Sequence, residues 1–510
     1  MRRGAALVKS LAALATMLGV VAIAATALAE PGRGGTPLVE GPSARTGLLR
    51  VVLGLGGALV LAVLAAHPIV RRIERRLGLT VLLSTGLPFV AMGVVFHHPS
   101  VGILSEDVVN DLRPALEFGL GWLGFVVGMQ FDVRALDQLP EKTGTVVFAE
   151  SVVPLLLTFG ACALALFGLV GSVPLDLDGL HGLGNNPTFR ASLRHALALG
   201  ACAAPAAPVA AVALARSAGS ASAQLHARIT ALNDVAGVFV MGIICAFFRP
   251  TDDLATWRLP EIAWLLVTLG LGGVLGILTY ILVRGASSRA EEMALLLGSV
   301  ALSAGMAGYL GISPLVACAI AGALLTNLPN KRMAELREII VEVERPLYLI
   351  FLLVAGALWD PSAWQGWALV PVFVLARVGG KLIGAHLSKR TGPADLPDAG
   401  TLGLALAPQS PISIATIVGY FLLYKGGAQT TSLFWLMTTC IGGALLTELT
   451  VQAIARIRGG LTFDLKHAAQ PSLVSISPLA PDAHYEVPSI PLPPQRPRVG
   501  TDPGMGGESR

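Results

Sequence analysis

From residue 47 to about residue 456, long apolar runs alternate with short polar stretches, and a Pro- and Ser-rich segment without apolar period closes the chain. Thirteen runs stand out, at about 47–70, 77–97, 112–131, 144–170, 195–216, 227–248, 261–284, 291–309, 311–328, 345–359, 365–388, 400–424 and 428–455. A helix needs about 20 apolar residues to cross the hydrocarbon core of a bilayer, and most of these runs reach that length. The pattern predicts an all-α polytopic membrane protein with about thirteen transmembrane helices. The eighth and ninth runs nearly merge at "YLGISP", and the tenth is short.

Residues 1–29 read as a signal peptide, with a charged "MRRGAALVK" start and "ALA" before residue 30, or as an N-terminal anchor. A polar linker, expected to be periplasmic, fills 30–46, and the transmembrane domain is 47–458. With residue 30 outside, inside loops carry eighteen Lys and Arg and outside loops nine, the asymmetry that the positive-inside rule expects. The bacterial inner membrane is the implied location, with a periplasmic N-terminus. The stretch 459–510, with "PLPPQRP", reads as a disordered Pro-rich cytoplasmic tail.

Composition agrees on the solvent. The chain is 54% hydrophobic and 13% charged, against about 25% charged in soluble domains. Mean hydropathy is +0.70. Cys162, Cys202, Cys245, Cys318 and Cys440 lie in apolar runs with no C-x-x-C pair, so neither a disulfide framework nor a zinc site is indicated. Net charge is only +4, and no basic cluster interleaved with aromatics suggests nucleic acid. Nothing in the sequence calls for a cofactor.

Polar residues inside the apolar runs carry the chemistry. "ITALNDVAGVF" puts Asn233 and Asp234 in the sixth run, where a central Asp costs about 2.5–3.5 kcal/mol on insertion scales. Adjacent helical residues point about 100° apart, so one can face a cavity while the other holds a neighbouring helix. Asp234 either pairs structurally or titrates and binds a cation through hard oxygens. "LARVGGKLIG" puts Arg377 and Lys381 four apart on one helix face, where they need anions or helix C-terminal carbonyls. Pro205 and Pro208 interrupt the fifth run, and "LAPQSPI" places Gln409, Ser410 and Pro411 in the twelfth. Two interrupted helices at corresponding places are a pointer to a transporter site between inverted repeats.

Over residues 47–456 the chain resembles the monovalent cation:proton antiporter superfamily, nearest its thirteen-helix bacterial sodium/proton antiporters. "LGWLGFVVGMQFDVRAL", "LNDVAG", "LGISPLVACAIAGALLTN", "LYLIFLLVAGALWD" and "ARVGGKLIGAHL" carry the resemblance by their order and spacing. It implies two inverted repeats, a core domain whose fifth and twelfth helices break and cross, and a scaffold that forms a homodimer. It also implies Asp234 as the shared cation/proton carboxylate and Lys381 or Arg377 as the core-domain base. Asn233 stands where electrogenic relatives have a second Asp. The fifth-run break offers only Ala and Pro, and no glycine-fingerprint nucleotide-binding region follows the membrane part.

The reading is therefore a secondary antiporter, not an enzyme, exchanging Na⁺ or K⁺ for protons with no metal beyond the transported cation. With one titrating carboxylate, exchange is expected to be electroneutral. The alternative is a transporter-like sensor or transport-inactive relative, suggested by the sparse fifth-run break. No pair of membrane aspartates and no Ser/His grouping supports an intramembrane enzyme.

Overall fold

The computed structural model describes residues 87–457 except 99–103, 105, 138, 171–186, 208–219, 250–258, 330–332, 393–398 and 426–429. The predicted signal, linker, first span, tail and Pro208 lie outside the described residues. Within them the chain is helical, with one isolated antiparallel bridge between Ala206 and Gln409.

Helix α1 (Leu87–His97) and the short α2 (Glu106–Asp111) precede α3 (Arg113–Gly128) and the single turn α4 (Val133–Leu136). Then come α5 (Thr143–Val170), α6 (Pro187–Ala203), α7 (Ser220–Phe247), α8 (Glu261–Arg284) and α9 (Arg289–Tyr309). The rest are α10 (Pro314–Asn327), α11 (Met333–Leu358), α12 (Trp364–Thr391), α13 (Ala399–Ala405), α14 (Pro411–Tyr424) and α15 (Thr430–Ile457). Five of these, α5, α7, α8, α9 and α12, are long and apolar enough to cross a membrane by length and composition. Large apolar side chains such as Phe148, Leu164, Leu266, Val274 and Leu375 point outward from α5, α8 and α12, a surface suited to lipid.

Two local features depart from the sequence pattern. The near-merger at "YLGISP" resolves into a turn. Gly311 takes φ +63°, the Ile312 amide returns to Ala307 O, and Pro314 opens α10. The short tenth run belongs to a longer helix. Helix α11 is 26 residues because the charged "AELREIIVEVE" continues the helical pattern ahead of the apolar half. Pro346 sits inside it without ending it.

Small residues set the helix spacing. Gly124 and Gly128 of α3 and Gly322 of α10 leave no room for a Cβ, because the facing backbone carbonyls of Leu315, Ala319 and Phe125 are in contact. Such close approach is how helices associate where no water is displaced. On the other side of the bundle Gly380 backs onto Pro154, and Gly384 onto Ala149 and Glu150. That contact brings α12 against α5, which positions the site below.

Candidate functional site

Helix α6 ends at Ala203 and α13 at Ala405, each just before a proline-containing non-helical stretch. Proline lacks the N–H that would continue the helix, and the residue before it avoids helical torsions. The two stretches meet. Ala206 bridges Gln409, and the Ala207 amide donates to Pro408 O at 2.9 Å. Backbone polar groups freed by the breaks are thereby partly paired with each other, as apolar surroundings require.

The remaining carbonyls face α12. Arg377 donates through Nη2 to Pro205 O at 2.6 Å and Pro408 O at 3.2 Å, and through Nη1 to Ala407 O. One turn on, Lys381 Nζ donates to Ala204 O at 2.8 Å and Glu150 O at 2.7 Å. Both side chains are fully buried, at 0% exposure. The two cations thus sit at the C-terminal ends of α6 and α13, where the helix dipoles are negative. Their spacing on α12 is what lets one helix serve both broken ends.

Asp234 lies on α7 beside the same crossing and is 1% exposed. Its Oδ2 accepts a hydrogen bond from Ser410 Oγ at 3.1 Å, the Ala206 backbone lies beside the carboxylate, and its buried Oδ1 accepts no close hydrogen bond. Ser410 is the N-cap of α14, so the carboxylate is held near a helix N-terminus, the favourable end for an anion. One turn along α7, Gly237 packs on Pro205, whose ring atoms lie 2.6 and 2.8 Å from where a Cβ would be. That contact presses the Asp234 helix against the break.

Asn233 turns the other way, as the 100° offset between neighbours requires. Its Oδ1 accepts from Ser151 Oγ of α5 at 2.9 Å. It therefore helps hold α7 to α5, and its Nδ2 is buried without a hydrogen-bond partner.

Glu150 is the residue that sequence reasoning missed. Its side chain is fully buried on α5, and both carboxylate oxygens lack hydrogen-bond donors. It lies within electrostatic reach of Lys381 and Arg377, as does Asp234. The signal was present: "VVFAESVVPLL" carries a lone acid inside the fourth apolar run, the same anomaly that singles out Asp234. The buried site therefore holds two acids and two cations. Lys381 makes no ion pair shorter than 4 Å with Asp234 among the described residues; its hydrogen bonds go to backbone. Gln409 donates through Nε2 to Cys440 Sγ at 3.0 Å, and its buried Oε1 is without a hydrogen-bond partner. Pro411 occupies the first turn of α14.

Chemically, the arrangement offers two buried carboxyl groups, Asp234 with a hydroxyl beside it and Glu150 behind it, near two basic side chains. It suits the binding of one small cation or one proton, and it lacks a positioned nucleophile and base. Among the described residues, no group of three or more His, Cys, Asp or Glu is arranged to hold a metal ion. A family model for the sodium/hydrogen exchanger transmembrane domain matches residues 58–452. No match was found among curated proteins.

Proposed function

The chain belongs to the sodium/hydrogen exchanger family, a multi-pass membrane family of cation:proton antiporters, and on that premise we propose that it exchanges Na⁺ or K⁺ for H⁺ electroneutrally at Asp234. The observation that carries this reading is the open, buried Oδ1 of Asp234 beside the crossed chain breaks. A cation bound there replaces the proton and is displaced by it, so competition at one carboxylate couples the two fluxes.

Glu150 supplies the missing part of the charge argument. The Glu150 carboxyl lies within electrostatic reach of Lys381, and in this reading the pair keeps one net charge while Asp234 exchanges its ligand. Asn233 cannot titrate. One proton then trades for one monovalent cation, and the buried charge is the same in the two loaded states. The backbone of the fifth-helix break is occupied by Arg377 and Lys381, so the transported ion draws on Asp234, Ser410 and water more than on those carbonyls.

The wider reading has thirteen transmembrane helices in two inverted repeats. The broken helices belong to a core that moves against a dimer scaffold, in a bacterial inner membrane with the N-terminus periplasmic. The crossing of the two breaks supports it. The test is proton flux in proteoliposomes driven separately by Na⁺, K⁺ and Li⁺, with Asp234→Ala as control. Flux in the wild type and none in a folded Asp234→Ala protein is the expected result. Equal flux in both removes the single-site reading, and no flux with any ion in the wild type favours a sensor.

A further inference from the structure

Cys202 and Cys440 come from distant parts of the sequence and meet behind the crossing. Cys202 is in the last turn of α6 and Cys440 is on α15, and both side chains are fully buried. Their thiols lie 3.6 and 3.5 Å from one acceptor, the carbonyl of Ser413 in the first turn of α14. Ser413 Oγ returns a bond to Cys202 O at 2.9 Å. Gln409 Nε2 donates to the Cys440 sulfur. The guanidinium of Arg377 is within electrostatic reach of Cys440.

We propose that this dithiol is a binding site for a soft monovalent d¹⁰ cation, Ag⁺ or Cu⁺, and that occupancy blocks exchange. Soft thiolates select such ions, and two ligands suffice for a two-coordinate complex. Binding converts two thiols and one M⁺ into S–M–S⁻ and two released protons, with no change of oxidation state. The resulting negative charge falls beside Arg377 and the Gln409 amide donor. The cation reaches the thiols by the route that must bring an ion to Asp234. Gln409, which holds the Cys440 thiol, is the chain neighbour of Ser410, which holds the carboxylate. This route rests on the exchange reading; the site itself does not. Once bound, the ion clamps the end of α6 to α15 across the start of α14, so the segments framing Asp234 no longer shift independently.

The experiment uses the full chain, purified in a chloride-free nitrate buffer, and titrates silver nitrate while recording bound silver and released protons. About one silver ion and two protons per chain are expected, with loss of cation-driven proton flux in matching proteoliposomes. Second-shell changes alone lower metal affinity about 10–100-fold, so losing one of two ligands in Cys202→Ala or Cys440→Ala should cost at least that. A chain with Cys162, Cys245 and Cys318 all changed to Ala should bind silver as the wild type does. Cys440→Ser provides a second variant should either alanine form prove unstable, with monodisperse elution as the check. Unaltered silver binding in the Cys202 and Cys440 variants overturns the site. Silver bound there with flux unimpaired overturns the block. The binding readout needs no transport, so a failure of the exchange reading leaves it interpretable.

Discussion

Ser410 donates to Asp234 at 3.1 Å and, through the same hydroxyl oxygen, accepts the Ile412 amide at 3.2 Å. One side chain therefore starts α14 and orients the buried carboxylate. Ser410→Ala removes both. Loss of an N-cap costs about 0.5–2 kcal/mol of stability, and the carboxylate loses its only hydrogen-bonding side chain. The expected outcome is a folded protein with a modestly lowered melting temperature and a raised half-saturating cation concentration. Thermal unfolding in detergent together with flux against cation concentration checks it. An unchanged cation dependence would confine Ser410 to helix capping.

Arg377 and Lys381 differ in how many carbonyls they serve, three against two. A buried polar group left unsatisfied costs about 1–3 kcal/mol, more where no water reaches it. Arg377→Ala is expected to destabilise the protein more than Lys381→Ala, and Arg377→Lys to rescue it only in part, since an ammonium lacks the planar fork. Melting temperatures of the three variants decide this; equal losses would place the main role of Arg377 elsewhere.

Lys381 also bears on pH. A nearby positive charge favours an ionised carboxylate over a protonated one. Removing that charge from the neighbourhood of Asp234 is expected to move the pH of half-maximal exchange up in Lys381→Ala. The check is proton flux across a pH series at saturating cation. A profile that stays in place, with activity retained, reassigns Lys381 to supporting the break.

Much of this was legible in the chain. The limits of α8 coincide with those of its apolar run, because Pro260 precedes it and Gly285 follows it. Asp234, Lys381 and the two breaks were visible because each violates the apolar pattern around it. Glu150 stands inside the fourth run as Asp234 stands inside the sixth, but its basic neighbours come into view only where α12 packs there through Gly380 and Gly384. The meeting of Cys202 with Cys440 was beyond reach for the same reason: apolar periodicity gives faces of helices, while pairs between helices need the three-dimensional contact. The division of Asn233 and Asp234 between two neighbours followed from helix geometry alone, but which residue faced the crossing did not.

Gly237 is where α7 meets the ring of Pro205, with ring atoms 2.6 and 2.8 Å from a would-be Cβ. Pro205 is itself fixed through its carbonyl by Arg377, so it cannot yield freely. Overpacking of this kind costs about 1–3 kcal/mol. Gly237→Val is expected to push α7 off the break and move Asp234 from Ser410, lowering flux more than folded yield, while Gly298→Ala, in open space on α9, changes neither. Parallel measurement of yield and flux checks the contrast. Full flux in Gly237→Val would mean the crossing tolerates displacement of the Asp234 helix.

Charge movement per cycle tests the role of Glu150. Where the Glu150–Lys381 pair holds its net charge through the cycle and Asn233 does not titrate, one proton leaves for each cation that binds. The membrane potential is worth about 2.3 kcal/mol per elementary charge per 100 mV, so any net charge carried would displace the exchange equilibrium visibly. Proteoliposomes clamped with valinomycin at zero and at about −100 mV, the scale of that energy, are expected to reach the same Na⁺/H⁺ equilibrium. A shift between the two refutes electroneutral exchange. Glu150→Gln is the sharper probe. It removes the acid near Lys381 while preserving size, and leaves the ammonium buried with Arg377 as a like-charged neighbour on the next turn. A lysine in that position gains by releasing its proton during the cycle, which would add a second proton to the exchange. Voltage dependence is therefore expected to appear in Glu150→Gln and to be absent in Glu150→Gln combined with Lys381→Met, where nothing remains to carry the extra proton. Voltage-insensitive exchange in an active Glu150→Gln protein would show that Lys381 does not change its protonation during the cycle.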